Sequence, residues 1–564
     1  MISVSGRKWQ ERKFNKNLAE KTQQDYNFSK ILSQLIVSRN FKKNEIHLID
    51  NNLNLSNVFQ NNQDFIKSVL LLEKVIKNRE NICILGDYDV DGSASTSLFI
   101  KFFESINHPY FYYIPDREKD GYGASKKLFE KLIKKKPKLV IMVDCGSTSV
   151  EAIDYLNEKK VKSLVIDHHE MTKPFPKANI IINPKKDNGY IKYDYLCATT
   201  LTYFFLDMLV KKIKCKINFR KYLIYVLLAT VCDVMPLRNL NRLIAKNAFQ
   251  EFNLNENYAF NEIYKLSNKK NKINIDDLGY LVGPILNSGG RLGKSNYATE
   301  LLSSENHQLI NQKALNLIAL NNKRKKIESI TLENIDFDRI EKENKDIIFH
   351  YDPNINEGLL GIIAARLKDY FNKPTIIITN SNDLLKSSAR STHNYNIGRA
   401  IRNSLTKKLI LNGGGHNMAA GFTLKKENLL SFREFIFNDF LKKCTSINSS
   451  FVYDAQISSS AFNKVFFKDI NQIGPFGNGN PSPIFLFKNL KVIKSTILKK
   501  KYISCILKSK TGSSVNSIFF NSINSKIGVN LLNYKKYFSV IGQINESFWN
   551  NKKTLQLIIK DLIL

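Results

Sequence analysis

Short apolar segments alternate with helix-length segments between residues 81 and 166. Parallel strands are joined by long crossover connections, which are usually helices. The alternation therefore predicts an α/β domain with a parallel sheet and helices on both faces. The strand-like segments are residues 81–85, 110–114, 138–143 and 163–166, and the helix-like segments are residues 93–106, 124–136 and 148–159.

Acidic and imidazole side chains follow these strands directly. They are Asp87, Asp89, Asp91, Asp144, Asp167, His168 and His169, and Asp233 ends a separate apolar helical run at residues 222–235. Ligands of parallel sheets bind beyond the carboxyl ends of the strands, so we expect these groups to meet on one rim. Asp89 and Asp91 are expected to face the same side, because alternate residues of an extended turn point together.

Carboxylates placed this close together repel each other, and a bound cation offsets that repulsion. Oxygen-rich sites with one or two imidazoles suit Mn²⁺ or Mg²⁺. Two such ions, about 3.5–4 Å apart, stabilise the attacking and leaving oxygens at phosphorus and activate water. Taken singly, an Asp-x-Asp turn, a histidine pair or Asp233 has an ordinary structural explanation. Their expected convergence favours a metal centre.

The composition favours a globular protein that binds polyanions. With 43% hydrophobic residues the 564-residue chain should form three or four domains. Its 85 Lys and Arg against 51 Asp and Glu leave a formal charge of +34, which favours nucleic acid first and acidic membranes second. A biased genome would also enrich lysine, so the charge alone is indirect support.

Seven cysteines without a CxxC pair argue against zinc and disulfides, and favour a reducing cytoplasm. The first residues contain no apolar segment typical of a signal peptide. The apolar run at residues 222–235 is too short to cross a bilayer and predicts a buried helix. We expect a cytoplasmic location and no membrane partner.

The chain after residue 240 changes character three times. It is first helical, with a charged stretch at 323–345 that predicts a long exposed connector helix, and a second α/β pattern follows at 346–424. A Pro/Gly-rich segment and short alternating strands then predict a compact β-barrel. The predicted domains are an N-terminal segment (1–60), a catalytic domain (61–300), a helical connector (301–345), a smaller α/β domain (346–443) and a nucleic-acid-binding barrel (444–564).

Four segments, "GDYDVDG", "VDCGSTS", "DHH" and "ATVCDVMPL", resemble in order the four motifs of the DHH phosphoesterase superfamily. Six more segments resemble its single-strand-specific exonucleases, also in order, and the tail fits their OB-type domain more loosely. They are "YIPDREKDGYGAS" (113–125), "VGPILNSGGRLGKS" (282–295), "EGLLGIIAARL" (357–367), "SSARS" (387–391), "GGGHNMAAGFTL" (413–424) and "IGPFGNGNPSPIF" (473–485).

The resemblance implies a parallel-sheet DHH domain and a smaller α/β DHHA1 domain joined by a helical linker, then an OB-like β-barrel. DNA would thread into a metal cleft between the first two domains. His169 would donate to the scissile phosphate. Related phosphatases have a histidine where Leu85 stands, and Asp87 is the candidate for the missing ligand. The implied metal ligands are Asp89, Asp91, Asp144, His168 and Asp233.

Other motif residues are implied to bind substrate. A cluster of arginines can hold a terminal 5′ phosphate bidentately and so select chain ends, although each arginine alone is typical of a solvated surface. The phosphate-binding set is Arg117, Arg291, Ser388 and Arg390. His416, in a glycine-rich turn, would contact phosphate, although a tight turn explains the glycines equally well. Tyr122 is the candidate for base stacking, whereas residues 110–112 are expected in the core.

Two positions depart from the superfamily pattern. Asn356 stands where many relatives have His, and Ile285 stands where many have Arg. Either change would weaken the hold on DNA, and neither removes a proposed metal ligand.

The resulting hypothesis is a metal-dependent 5′→3′ exonuclease of DNA repair and recombination that uses two Mn²⁺ or Mg²⁺ ions and releases nucleoside 5′-monophosphates from single-stranded DNA. We expect a monomer with a single-strand DNA-binding protein and a RecQ-type helicase as partners. One alternative is a small-substrate DHH enzyme, which typically lacks the 473–485 segment and the barrel. The other is a catalytically inactive DNA-binding scaffold, which predicts broken acidic motifs.

Overall fold

The computed structural model describes residues 3–50, 55, 58–116, 119–121, 123–171, 173–186, 191–444, 450–520, 523–534, 536–549 and 552–564. The chain forms two compact units. The first comprises Met1–Tyr113, Gly123–Gly283 and Ser449–Leu564, and the second comprises Ile114–Tyr122 and Pro284–Asn448. The predicted domain boundaries stay a prediction.

The strands are β1 (Lys8–Glu11), β2 (Ile82–Leu85), β3 (Tyr110–Tyr113), β4 (Leu139–Val143), β5 (Lys162–Ile166), β6 (Ile180–Ile182), β7 (Ile348–Tyr351), β8 (Thr375–Ser381), β9 (Leu384–Arg390), β10 (Asn412–His416), β11 (Ala419–Lys425), β12 (Ser450–Tyr453), β13 (Ala455–Gln456), β14 (Ile484–Leu498), β15 (Tyr502–Ser509), β16 (Ser514–Phe519), β17 (Phe538–Trp549) and β18 (Lys552–Ile563).

The helices are Lys16–Tyr26, Lys30–Ser38, Lys43–Asp50, Gln63–Lys77, Val90–Ser105, Lys126–Leu132, Val150–Glu158, Ala198–Ile213, Leu223–Cys232, Asn239–Glu251, Tyr258–Leu266, Ile275–Asp277, Gly283–Arg291, Tyr297–Ser303, His307–Glu333, Phe337–Glu343, Leu360–Phe371, Ile397–Thr406, Leu429–Lys443, Lys464–Ile470 and Lys526–Asn533. A π-helical turn, Leu278–Val282, joins two of them.

The first unit contains the predicted parallel sheet, with strand order β3-β2-β4-β5-β6. Strands β2 and β4 are buried along their whole length, as expected for a parallel sheet that is covered on both faces. The fold prediction is therefore confirmed. Strand β6 is not among the predicted strands, because its three residues form too short an apolar run.

The second unit contains a five-stranded mixed sheet with strand order β10-β11-β9-β8-β7. Only β7 and β8 pair in parallel, and the other neighbours are antiparallel. The long helix His307–Glu333 begins before the charged stretch. It is not exposed all round, because one side buries Ile310, Ala314 and Leu317.

The C-terminal strands close a barrel in the order β14-β15-β16-β18-β17, with β17 pairing back to β14. N-terminal residues belong to the same hydrophobic core as the barrel, since Leu32 and Ile36 share one cluster with Phe485 and Leu557. Strand β1 also pairs in parallel with β12. Among the described residues, no helix is both long and apolar enough to cross a bilayer.

Candidate metal centre

The first acidic motif forms the turn between β2 and the helix Val90–Ser105. Asp89 is the N-cap of that helix, and its side chain accepts a hydrogen bond from the backbone N–H of Gly92 at 3.1 Å. Asp91 is already inside the first helical turn. The expectation that Asp89 and Asp91 share one side of an extended turn is therefore wrong, because the helix begins three residues earlier than predicted.

Asp91 lies against the start of another helix, Ala198–Ile213. Its carboxylate accepts hydrogen bonds from the backbone N–H groups of Ala198 and Thr199, both at 2.7 Å, and from the Thr199 hydroxyl at 2.6 Å. Cys197 caps this helix without a side-chain hydrogen bond. Free N–H groups at a helix start carry partial positive charge, so they hold the Asp91 carboxylate in place.

Asp144 directly follows β4 and is almost completely buried. Its φ of 59° places it in the left-handed region, which residues other than glycine, asparagine and aspartate rarely adopt. Its backbone N–H bonds to the carbonyl of Ile166 at 2.9 Å, which ties the turn to the neighbouring strand. This unusual conformation fixes the carboxylate at the centre of the rim.

The Asp-His-His motif follows β5 and is braced from within. Asp167 accepts hydrogen bonds from the backbone N–H of His168 at 2.8 Å and of Ser147 at 3.0 Å, and its Oδ1 lies 2.8 Å from Nδ1 of His169. Asn183 donates to Ser147 Oγ and to the His169 carbonyl. Asp167 and Asn183 therefore orient the two histidines.

The structure brings together every predicted metal ligand. Nε2 of His168 lies 3.3 Å from Oδ2 of Asp233, 3.4 Å from Oδ1 of Asp144 and 3.7 Å from Oδ2 of Asp91. Three groups have ligand atoms within 4.8 Å of one another, namely Asp87–Asp89–Asp144, Asp91–His168–Asp233 and Asp144–His168–His169. Asp144 and His168 each belong to two groups, so the three groups form one continuous cluster.

Several buried atoms of this cluster have no hydrogen-bond partner among the described residues. They are Asp144 Oδ1, Asp233 Oδ2 and both ring nitrogens of His168. An unsatisfied buried polar atom costs about 1–3 kcal/mol. Three of these atoms lie together, since His168 Nε2 is 3.4 Å from Asp144 Oδ1 and 3.3 Å from Asp233 Oδ2, so one cation could bind all three. Carboxylate oxygens with one or two imidazole nitrogens are a donor set for Mn²⁺ or Mg²⁺. The residues therefore fit divalent ions.

The electrostatics of the carboxylates support the same assignment. Burial, together with the charges of neighbouring carboxylates, raises the pKa of Asp144 well above its usual value. The pKa values of Asp87 and Asp233 are raised for the same two reasons. Without cations the cluster therefore resists full ionisation, and bound cations would relieve that resistance.

The two histidines differ in their protonation. Burial and the nearby charge of His169 lower the pKa of His168 to about 4, so its imidazole is neutral at pH 7 and can act as a ligand. Burial would also lower the pKa of His169, but its ion pair with Asp167 raises that pKa to about 9. His169 is thus a cation that can donate a hydrogen bond.

Three of the predicted phosphate-binding residues lie together in the second unit, around the start of the helix Leu360–Phe371. Arg291 Nη1 donates to the carbonyl of Gly358 at 2.9 Å, and Arg390 Nη1 lies 3.2 Å from Ser388 Oγ. A Cβ added at Gly361 would lie 2.8 Å from Arg390 Nη2 and 3.3 Å from Ser388 Oγ. Two guanidinium groups, a hydroxyl and a helix N-terminus suit a phosphate group.

His416 is the exposed last residue of the edge strand β10. It pairs with Ala419, which in turn pairs with Arg390, so the three residues form one row across three strands. Residues directly opposite in an antiparallel sheet point to the same face. His416 and Arg390 therefore share a face, separated by one strand. Arg117 and Tyr122 lie outside the described residues.

Comparisons with known proteins agree with this geometry. Residues 81–230 match the DHH family, N-terminal domain, residues 344–443 match the DHHA1 domain, and residues 453–561 match the RecJ OB domain. The chain contains a DHH domain, a DHHA1 domain and a RecJ OB domain, and it is similar to RecJ proteins.

Curated RecJ-type relatives span most of the chain. The single-stranded-DNA-specific exonuclease RecJ of Haemophilus influenzae is 28% identical, covering 87% of this chain and 89% of the relative. That of Bacillus subtilis is also 28% identical, covering 87% of this chain and 62% of the relative. The crystal structure of RecJ in complex with Mn²⁺ from Thermus thermophilus has a TM-score of 0.80 at 19% identity, covering 99% of this chain and 79% of that one. At that identity the likeness shows a shared fold.

The two departures from the RecJ-type pattern occupy defined places in the second unit. Asn356 caps the short turn Glu357–Leu359, accepting from the N–H of Gly358 at 2.9 Å. Ile285 is buried in the helix Gly283–Arg291. Thr199, which supports Asp91, is not among the predicted site residues. The only trace of its role in the sequence is that the helix starting at Ala198 follows Cys197, which provides no side-chain cap.

Proposed function

We propose that this chain is a two-metal exonuclease that hydrolyses single-stranded DNA from its 5′ end and releases nucleoside 5′-monophosphates. The convergence of six potential ligands carries the proposal, and three of their buried ligand atoms, Asp144 Oδ1, Asp233 Oδ2 and His168 Nε2, have no hydrogen-bond partner among the described residues. The curated relatives are named single-stranded-DNA-specific exonucleases, and two solved neighbours of the same fold are RecJ complexes with Mn²⁺ and Mg²⁺.

Each of the two ions would be held by one of these groups of side chains. Asp87, Asp89 and Asp144 would hold one ion, and Asp91, His168 and Asp233 would hold the other, with Asp144 next to both. When bound, such a pair of ions polarises the phosphodiester and lowers the pKa of a bound water. The six residues were predicted as ligands from the sequence, and their roles remain proposals.

The chain's own residues would act on the phosphate around those ions. His169, held as a cation by Asp167, would donate a hydrogen bond to a non-bridging oxygen of the scissile phosphate. Asp91 accepts hydrogen bonds from the helix start at Ala198, so its carboxylate would keep its orientation as substrate binds and product leaves. This rigidity provides the preorganised charge that hydrolysis of a phosphodiester requires.

The cluster of Arg291, Ser388 and Arg390 would bind the terminal 5′ phosphate, with Arg117, His416 and Tyr122 as further contacts to the DNA. A terminal phosphate carries more charge than an internal one, and paired guanidinium groups favour it. End selection and the 5′→3′ polarity would follow from this preference. We also propose a cytoplasmic monomer that works with a single-strand DNA-binding protein and a RecQ-type helicase.

Single-stranded DNA labelled at either terminus tests the proposal when incubated with Mn²⁺, Mg²⁺ or EDTA. We expect 5′-labelled DNA to release labelled mononucleotide at once, 3′-labelled DNA to shorten progressively, and EDTA to stop both reactions. Asp338→Asn, in an exposed part of another helix, is the matched control and should leave the activity unchanged. Hydrolysis of pyrophosphate without hydrolysis of DNA would favour the small-substrate alternative. Binding of DNA without any hydrolysis would favour the scaffold.

A further inference from the structure

The residue after Asp233 has an unfavourable backbone conformation. Asp233 caps the helix Leu223–Cys232, and Val234 continues the chain with a φ of 56°. Helices commonly end on a left-handed residue, but that residue is usually glycine or asparagine. A β-branched residue there is a genuine outlier, and the surrounding structure must hold it. The Val234 side chain is itself 65% exposed, so packing does not explain the conformation.

The helix end contributes one restraint on Val234, because the N–H of Met235 donates to the carbonyl of Thr230 at 2.9 Å, and the Pro/Gly-rich loop 473–480 supplies a second restraint. The Asn478 side-chain amide donates a hydrogen bond to the carbonyl of Val234, across 244 residues of sequence. The backbone carbonyl of the same Asn478 accepts from the N–H of Leu237 at 2.7 Å. A single residue therefore fixes both ends of the segment that leads away from Asp233.

The glycines on either side of Asn478 permit this approach. A Cβ added at Gly477 would lie 2.6 Å from Cδ1 of Leu237, and one added at Gly479 would lie 2.6 Å from Cβ of Pro236. Contacts this short are essentially absent from real side chains. The requirement is stronger at Gly479, which has a φ of 68° and faces the rigid Pro236, than at Gly477, where the end of the Leu237 side chain can move.

The loop is itself firmly held, so it can act as a support. Asn480 is almost fully buried, and its side chain donates to the carbonyl of Ile473 at 2.7 Å and accepts from Arg39 at 3.1 Å. The buried Arg242 donates to the same Ile473 carbonyl at 3.0 Å. The contacts of Arg39 and Arg242 connect the loop to the N-terminal helices and to the helix that follows Asp233.

We propose that Asn478 is a positioning residue for the metal centre. By holding Val234 in the left-handed conformation, it keeps the Asp233 carboxylate beside His168, where Oδ2 and Nε2 are 3.3 Å apart. The inference rests on the proposed function in one respect, namely that Asp233 and His168 bind a divalent ion. The loop before the barrel would then help to form the binding site of that ion.

Direct binding of Mn²⁺ tests the proposal without relying on activity. The signal of free Mn²⁺ in electron paramagnetic resonance is titrated against full-length parent protein, Asn478→Ala, Val234→Asn, the double variant and the control Asn438→Ala. Asn438 is an exposed helical asparagine in the second unit. Loss of a group that orients a ligand typically weakens metal binding about 10–100-fold, and we expect Asn478→Ala to weaken one Mn²⁺ site by at least about 10-fold.

The double variant separates positioning from general damage. Asparagine adopts the left-handed region several times more readily than other residues, so Val234→Asn removes the need for the Asn478 contact. We expect Val234→Asn alone and Asn438→Ala to bind Mn²⁺ as the parent does. The double variant should recover an affinity within about threefold of the parent, which is well inside the loss expected of Asn478→Ala.

Each outcome has one reading. If the parent takes up no Mn²⁺, the proposed function fails. If the parent and Asn478→Ala bind Mn²⁺ equally, or the double variant shows no recovery, the positioning role is overturned and the proposed function stands. Should Asn478→Ala fail to fold in circular dichroism, the double variant decides, because folding and Mn²⁺ binding of that variant support the role and a second unfolded protein overturns it.

Discussion

Replacing Asp144 with asparagine should raise the thermal stability of the metal-free protein while abolishing hydrolysis. Asp144 is 1% exposed, and its ligand atom lies within 4.8 Å of those of Asp87 and Asp89. Two unit charges at that separation repel by about 3.5 kcal/mol at an effective dielectric constant of about 20. The pKa of Asp144 is raised by burial and by the neighbouring carboxylates, so the folded protein disfavours this charge and part of the repulsion is avoided.

The net gain is therefore smaller than the full repulsion, and about 2 kcal/mol is a reasonable expectation. For a domain of about 150–250 residues this corresponds to a rise in Tm of about 4–8 °C. Asparagine also tolerates the φ of 59° at this position, whereas alanine would add strain of about 1–2 kcal/mol. Asp144→Ala should consequently melt below Asp144→Asn, although both should lose hydrolysis.

Differential scanning fluorimetry in EDTA and in Mn²⁺ measures these differences, with the labelled-DNA assay run on the same preparations. The parent should gain stability with Mn²⁺, by about 2.7 kcal/mol at 100 times the Kd, and Asp144→Asn should gain much less. The reasoning is refuted if Asp144→Asn melts at or below the parent in EDTA, or if it retains hydrolysis near the parent rate.

Three further predictions follow from the charges described above. In EDTA, the Tm advantage of Asp144→Asn over the parent should vanish near pH 4 and grow toward pH 8. Because the pKa of Asp144 is raised in the folded protein, Asp144 does not destabilise the parent below the unfolded-state pKa near 3.8, and the parent loses stability as the pH rises through the folded-state pKa. A Tm advantage that is constant with pH would contradict this. Arg390→Ala should lower kcat/KM about 10–100-fold for 5′-phosphorylated DNA and much less for 5′-hydroxyl DNA, since a charged hydrogen bond contributes about 1.5–3 kcal/mol; equal losses would remove Arg390 from end recognition. The affinity for single-stranded DNA should fall with salt, with a log–log slope of about −0.7 per phosphate contacted, and a slope near zero would exclude backbone binding.

The sheet and its acidic rim were predictable because their signals are local. Each buried strand is a short apolar run, and parallel strands necessarily present their carboxyl ends on one side. Asp87, Asp144 and His168 therefore met as expected from three separate stretches of sequence.

The division of the metal-binding cluster into separate groups of ligands was less predictable. Asp89 accepts the N-cap hydrogen bond, so the helix begins earlier than its apolar pattern predicts. Asp89 and Asp91 consequently belong to different ligand groups. The support of Asp91 by Thr199 joins residues 108 positions apart, and nothing in the periodicity of either segment points to the other.

The roles of the N-terminal residues and of Asn478 depend on similarly distant contacts. Residues 1–60 are predicted as a segment of their own, and the structure places Leu32 in the same hydrophobic cluster as Leu557 of the barrel. The "GPFGNGNP" segment was recognisable as a turn from its glycines and prolines. Its contact with Val234 became visible only in three dimensions.

Strand β1 has a consequence for how the protein is made. It pairs with β12, and the Ser5 hydroxyl and the Trp9 indole both donate to the buried carboxylate of Asp561. Because Ser5 and Trp9 are 556 and 552 residues away from Asp561 in the sequence, these contacts form only after Asp561 has been synthesised. A chain that ends before the last barrel strands would leave apolar residues of the barrel's hydrophobic cluster, such as Leu32 and Ile36, exposed to chaperones and proteases.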